Sequence, residues 1–205
     1  MALLPVTALV LAGGKSARLG RDKAFAAVNG RPLLDRVTAA VGAVCSNTLI
    51  VADDATKFAA KGVTVIPDAT ADEGPLMGLR SGLEAMTTDW GFATSCDAPF
   101  LSPRLIEYLW RLREGHDAVV PFTAADQYPK PLCALYSRTC LHAILETLGR
   151  GERRMIDFYP FVHVLLVPED SVRLIDPYLL SFHNVNTPED LALAEEIARI
   201  EDAPE

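Results

Sequence analysis

Apolar residues recur along this chain in two alternating rhythms. Val6, Ala8, Leu9, Val10 and Leu11 form a nearly unbroken apolar run, which predicts a strand buried on both faces. Leu33, Leu34, Val37, Ala40, Val41 and Val44 then fall at helical spacing, which predicts a helix over Pro32–Val44 with the proline in its first turn. The rhythms keep exchanging. Thr48–Val51 and Val63–Ile66 read as strands, Leu76–Met86 as a helix, Trp90–Ser95 as a short buried strand and Pro103–Arg113 as a helix. Ala118–Val120 and Leu132–Tyr136 are further strands, Arg138–Leu148 and Glu152–Phe158 further helices, and Val162–Val167 extends again. The last helix opens at Thr187-Pro188-Glu189-Asp190, with Thr187 as N-cap, Pro188 in the first turn and Asp190 as capping-box partner. Alternation of this kind predicts an α/β fold: a doubly wound, mostly parallel sheet with helices on both faces, in a single domain over residues 1–205. Such a sheet takes its ligand beyond the carboxyl ends of the strands, where the strand order reverses.

Composition sharpens this picture. The chain has 205 residues, half of them hydrophobic, enough for a full core. No stretch approaches 18 uninterrupted apolar residues, so no membrane span is expected. Met1–Pro5 lacks the basic start of a secretory signal. Cys45, Cys96, Cys133 and Cys140 show no Cys-x-x-Cys pairing, which suits reduced, buried cysteines in the cytoplasm rather than a zinc site. The formal charge of -8 argues against a nucleic-acid surface.

One segment stands against that negative charge. Directly after the first strand, Gly13-Gly14 allows a turn with positive φ and close approach to a ligand. Successive N–H groups in such a turn form an anion-binding concavity. Lys15, Arg18, Arg21 and Lys23 follow, so the loop suits a phosphate. It matches neither Gly-x-x-x-x-Gly-Lys-Ser/Thr nor Gly-x-Gly-x-x-Gly, and the competing reading is a glycine turn with a solvated basic stretch.

Other candidates follow strand ends. Asp97, after the strand ending at Ser95 and before Pro99, is either an Mg²⁺ ligand or a turn-capping carboxylate. Asp68, after Pro67, either accepts from a ribose or base or serves a Pro-Asp turn. Gly74-Pro75-Leu76-Met77-Gly78 either turns helix amides toward a base or simply starts a helix. Asn184 and Asn186, two apart on an extended segment, share a side and offer both donors and acceptors to a heterocycle, or else bond locally before the last helix. Arg153 and Arg154 either hold a second phosphate or form a solvated helix start. His116, His142, His163 and His183 lie in no ligand spacing, and no Ser-His-Asp arrangement is visible.

The ordered set resembles the molybdenum cofactor guanylyltransferases. The matching residues are Leu11-Ala12-Gly13-Gly14, Ser16, Arg18, Gly20, Asp22-Lys23-Ala24, Gly30-Arg31-Pro32-Leu33 and Asp68. The match continues through Gly74-Pro75-Leu76-x-Gly78, Cys96-Asp97-x-Pro99, Pro131-Leu132-x-Ala134-Leu135, Gly151-Glu152-Arg153-Arg154 and Asn184-Val185-Asn186-Thr187-Pro188-Glu189-Asp190. The opening loop alone marks the wider nucleotidyltransferase superfamily; Asp22-Lys23 and the Asn-x-Asn-Thr-Pro-Glu-Asp ending narrow it.

The resemblance implies a Rossmann-like nucleotidyltransferase fold and transfer of GMP from GTP to molybdenum-molybdopterin, with release of pyrophosphate. It implies nucleotide contacts at Leu11, Ala12, Gly13, Gly14, Ser16, Asp68, Gly74, Pro75, Leu76 and Gly78. It further implies phosphate neutralisation by Lys23 and Arg18, Mg²⁺ on Asp97, and a pterin side at Asn184 and Asn186 with Arg153 and Arg154. A monomer acting on small molecules is expected, with transient contact to molybdenum-insertion or molybdoenzyme proteins. Many relatives carry an asparagine where this chain has Ala52, followed by Asp53-Asp54. Alternatives of the same fold are a molybdopterin cytidylyltransferase and a sugar-phosphate nucleotidylyltransferase; a non-catalytic nucleotide-binding regulator is an alternative of another class.

Overall fold

A computed structural model of the chain describes residues 2–12, 23–54, 56–58, 63–67, 74–124 and 127–202. Its strands are β1 (Leu4–Leu11), β2 (Ala27–Val28), β3 (Arg31–Pro32), β4 (Cys45–Ala52), β5 (Thr64–Pro67), β6 (Trp90–Ser95), β7 (Ala118–Thr123), β8 (Tyr128–Pro129), β9 (Cys133–Ser137) and β10 (Val164–Pro168). Its helices are α1 (Leu33–Gly42), α2 (Pro75–Ala85), α3 (Pro103–Arg111), α4 (Cys140–Gly149), α5 (Glu169–Arg173) and α6 (Pro188–Glu201). One sheet runs in the order β10-β7-β9-β6-β1-β4-β5, with β8 attached to β7.

The central strand explains the architecture. Residues Val6 and Ala8–Val10 of β1 have no exposed surface, as an apolar run between two helical layers requires. Val6, Ala8 and Val10 pack with Leu34, Val37 and Val41 of α1 and Leu105, Ile106 and Leu109 of α3. Leu9 points the other way, into Leu76, Leu79 and Leu83 of α2 and Ile144 and Leu148 of α4. Period-two alternation along one strand thus feeds two cores.

Leu9 needs room on that second face. A Cβ placed on Gly82 of α2 or on Gly91 of β6 would lie 2.9 Å from Leu9 Cδ1. The two glycines therefore receive the leucine side chain, and their lack of Cβ sets how closely α2 and β6 approach β1.

The sheet is doubly wound and mostly parallel, as expected: β1 pairs in parallel with both β4 and β6, β4 with β5, and β7 with β10. The exceptions are β9, antiparallel to both β6 and β7, and the short β8, antiparallel to β7. Among the described residues, the stretch between β7 and β9 holds only the short β8, and it is too little chain for the crossover that a parallel neighbour needs.

Two local expectations are corrected, and one element is added. Pro32 belongs to β3 and is the N-cap residue of α1 rather than part of its first turn. Residues 152–158 form no helix. They form successive turns in which Asp157 N–H reaches Arg154 O and Tyr159 N–H reaches Ile156 O, and the Asp157 carboxylate takes the Arg154 N–H. Met155 and Phe158 are buried at a three-residue interval, which turns satisfy as well as a helix does. The hairpin of β2 and β3 was not anticipated; Asn29 (φ 50°) and Gly30 (φ 71°) make its tight turn.

α6 closes the structure against this hairpin. Ala194 and Ala198 pack with Ala26, Val28, Leu33 and Val185. Its N-terminus carries the expected capping box, with Asp190 N–H on Thr187 Oγ1 at 3.1 Å and Thr187 N–H on Asp190 Oδ2 at 2.9 Å. Near its C-terminus the buried Arg36 guanidinium pairs with Asp202 and donates to Val28 O. Among the described residues, no helix is long and apolar enough to cross a membrane.

Candidate active site

The strand order reverses at β1. From β1 the chain passes first to β4 on one side and later to β6 on the other. The carboxyl ends of β1 and β6 lie side by side, with Leu11 opposite Ser95 and Cys96 N–H donating to Leu11 O at 3.1 Å. An open α/β sheet presents its ligand crevice at such a point.

Asp97 stands two residues beyond the end of β6. Its Oδ1 accepts the Ser95 hydroxyl at 2.5 Å. Its Oδ2 faces Lys23 Nζ at 3.4 Å. Lys23 Nζ also donates to Asn186 Oδ1 at 2.5 Å. Three residues picked out separately along the sequence therefore meet on one ammonium group.

Each member is held from its own element. Lys23 begins a single 3-10 turn, Lys23–Phe25, in which Ala26 N–H reaches Lys23 O at 3.0 Å, Ala24 is buried, and Phe25 stacks on Phe58 with centroids 5.6 Å apart. The segment before α6 is fastened to Asp97 itself, since Val185 N–H donates to Asp97 O at 2.9 Å. Val185 is fully buried, Asn186 half-buried and Asn184 exposed. Asp190 Oδ2 also accepts the Asn186 N–H at 2.9 Å. The N–H groups of Asn186 and Thr187 hold the Asp190 carboxyl below its usual range. The capping box thus extends into the site and fixes where Asn186 lies.

α2 enters the same edge, because it follows a strand parallel to β1. Gly74, at φ 91°, precedes Pro75 in its first turn. Leu76 is fully buried and Gly78 is buried. The Leu76 side chain therefore serves the core, and Gly74 and Pro75 are exposed at the start of the helix. A Cβ on Gly74 would touch Arg153 O at 3.7 Å, so the turn after α4 lies against the start of α2.

The two arginines are engaged locally. Arg153 donates to Leu148 O at 2.8 Å and Glu152 O at 3.1 Å, at the C-terminal end of α4. Arg154 pairs with Asp157 at 2.8 Å. Leu11 and Ala12 lie at the end of β1, with Ala12 N–H on Val51 O at 2.8 Å. Gly13, Gly14, Ser16, Arg18 and Asp68 lie outside the described residues.

The donor set suits a hard cation that shares its shell with a substrate. Asp97 Oδ2 is a hard oxygen turned to a positive group. Among the described residues, no cluster of three or more His, Cys, Asp or Glu side chains could hold a metal by itself. One carboxylate with phosphate and water oxygens is the usual Mg²⁺ arrangement.

Residues 8–164 match the family model described as MobA-like NTP transferase domain. The chain belongs to this family. A probable molybdenum cofactor guanylyltransferase of Pelotomaculum thermopropionicum is 35% identical over 196 residues, covering 96% of this chain and 95% of that protein. One of Deinococcus radiodurans is 37% identical over 191 residues, covering 93% and 94%. The crystal structure of molybdopterin-guanine dinucleotide biosynthesis protein A from Archaeoglobus fulgidus has a TM-score of 0.83 at 28% identity, covering 95% of this chain and 99% of that one. The 2-C-methyl-D-erythritol 4-phosphate cytidylyltransferase of Thermus thermophilus has a TM-score of 0.72 at 17% identity, a likeness of fold alone.

Within this MobA-like chain, Ser95 is the site residue that the sequence reading missed. Its signal was present: a hydroxyl two positions before a carboxylate at the end of a strand.

Proposed function

We propose that this chain is a molybdenum cofactor guanylyltransferase of one domain. It would transfer GMP from GTP to the terminal phosphate of molybdenum-bound molybdopterin. A phosphate oxygen of the acceptor attacks the α-phosphorus of GTP. The bond from that phosphorus to the bridging oxygen breaks, and pyrophosphate leaves with the electron pair. The acceptor phosphate is already an anionic nucleophile, so no side-chain base is needed, and catalysis is positioning plus charge stabilisation. The observation that carries this reading is the meeting of Lys23, Asp97 and Asn186 beside the carboxyl ends of β1 and β6.

In this reading Lys23 neutralises phosphate charge and Asp97 holds Mg²⁺. The metal, when bound, would offset charge on the α-phosphate and on the departing pyrophosphate. The basic loop with Gly13, Gly14, Ser16 and Arg18, together with Asp68 and residues 74–78, contacts the nucleotide. Asn184, and the NH₂ end of Asn186, face the pterin side, with Arg153 and Arg154 reaching that side only if they leave their present partners. The reaction suits a cytoplasmic enzyme that hands its product to molybdoenzyme partners.

The test mixes the purified chain with GTP, Mg²⁺ and molybdenum-molybdopterin and follows pyrophosphate, with CTP in parallel. Release with GTP, falling on the order of 100-fold or more in Asp97→Asn, is the expected outcome. Faster release with CTP makes the chain a cytidylyltransferase. Nucleotide binding without release makes it a regulator.

A further inference from the structure

The polar groups around Asp97 are shared out unevenly. Ser95 occupies Oδ1 at 2.5 Å, so Oδ2 is the oxygen turned to Lys23. Lys23 Nζ stands 2.5 Å from the neutral amide oxygen of Asn186 and 3.4 Å from the anionic Asp97 Oδ2. Nitrogen–oxygen hydrogen bonds centre near 2.9 Å and weaken beyond about 3.2 Å. Of these two oxygens, the ammonium lies close to the amide and far from the carboxylate. Charge alone favours the reverse, because an unrestrained ammonium–carboxylate pair closes to about 2.7–2.9 Å.

The restraint comes from the segment before α6. Val185 N–H is bonded to Asp97 O at 2.9 Å, and Val185 is fully buried. Asn186 N–H and Thr187 N–H both end on Asp190 Oδ2 at 2.9 Å. These bonds fix the backbone that carries the Asn186 amide, so the amide sets the ammonium and not the other way round.

We infer that Asn186 is a positioning residue that acts through Lys23: its side-chain oxygen draws the ammonium away from Asp97 Oδ2 and leaves that oxygen to a divalent cation. The inference rests on the reading of Asp97 as the metal carboxylate. An ammonium in full contact with Oδ2 would cancel the charge that attracts the cation. Held aside by Asn186, the same ammonium stays within reach of a phosphate bound beside that cation. Two positive groups that would compete for one carboxylate then act on one phosphate chain.

The experiment uses Mn²⁺ as the probe, a hard divalent cation that takes the same oxygen ligands. Binding to the full chain without nucleotide is measured from loss of the free-ion paramagnetic resonance signal. The proteins are wild type, Asn186→Ala, Lys23→Met and the double variant, with melting curves to verify folding. Asn186→Ser replaces Asn186→Ala if the latter melts early. Asn186→Ala is expected to weaken Mn²⁺ binding about threefold to tenfold, because Lys23 closes onto Asp97. Lys23→Met is expected to bind Mn²⁺ at least as tightly as wild type. In the Lys23→Met background the Asn186 substitution is expected to change affinity by less than about twofold, since the residue it acts through is gone. An equal loss in both backgrounds overturns the inference, because Asn186 then acts on the cation directly or through the fold. No loss in either background overturns it too. Asp97→Ala is measured beside them. If it keeps wild-type Mn²⁺ affinity, the metal reading of Asp97 falls and takes this inference with it. If it loses Mn²⁺ while the Asn186 effect is absent or additive, only the positioning role falls.

Discussion

Ser95 decides which oxygen of Asp97 faces the positive groups, because its hydroxyl holds the other one at 2.5 Å. A hydrogen bond to a charged group contributes about 1.5–3 kcal/mol. Ser95→Ala is therefore expected to lower turnover about tenfold at fixed Mg²⁺, with partial recovery at raised Mg²⁺, and to lower the melting temperature as well. Ser95→Thr keeps the hydroxyl and should retain most of the activity. Full activity in Ser95→Ala would show that Asp97 needs no such hold. At this scale the sequence names residues more readily than it joins them. Asp97 and Lys23 stood out by residue type and by position after a strand, and Asn186 by its spacing from Asn184. Their meeting on one ammonium depends on residues 183–187 returning beside β6, a closure over most of the chain that no local spacing encodes. Arg153 and Arg154 show the opposite limit. Paired guanidiniums suggest a phosphate, yet Leu148 O, Glu152 O and Asp157 already engage them.

Between β1, β6 and α2 the decisive packing fact is a leucine seated on two glycines. A Cβ on Gly91 would lie 2.9 Å from Leu9 Cδ1 and 3.1 Å from Met86 Sδ, both in buried side chains. Extra volume in a close-packed core costs about 1–3 kcal/mol. Gly91→Ala is expected to destabilise the fold by about that amount, read by urea or thermal unfolding. The same change made in Leu9→Val should cost less, because the shorter side chain gives back the space. Additive costs in the double variant would mean that the strain lies elsewhere. Elements were legible where periodicity and caps agreed, as at β1, β6 and the Thr187 cap of α6. Asn29-Gly30 is a hairpin-turn dipeptide, but its flanking strands are two residues each, too short to show a period. Glu152–Phe158 misled because buried residues three apart suit turns and helices equally. The antiparallel direction of β9 follows from a short connection rather than from any pattern within the strand.

Across the whole molecule, three well-separated carboxylates tie stability to pH in the same direction. Asp117, at the sheet edge away from the site, is held below its usual range first by the Thr139 hydroxyl and then by the His163 N–H. Asp190, at the start of α6, is held down first by the Asn186 N–H. Asp202, at the other end of α6, is held down first by Arg36 and then by Asn29. A group whose folded pKa lies below its unfolded value adds stability above the unfolded value and loses it as pH falls through the folded one. Their contribution should therefore be complete at neutral pH and should disappear progressively below about pH 4. Bulk charge works against a simple reading of that curve, since the chain carries -8 and the first protons taken up relieve repulsion. A mutant difference separates the two. Asp202→Asn removes the partner of a buried guanidinium and should lower the melting temperature at pH 7. The cost should fall short of the roughly 3–5 kcal/mol of a fully buried pair, because Asp202 is itself exposed to solvent. As pH drops through the acid range the wild-type carboxylate protonates, and the two melting temperatures should converge. A gap that stays constant from pH 7 to pH 3 would mean that Asp202 stabilises α6 without its charge.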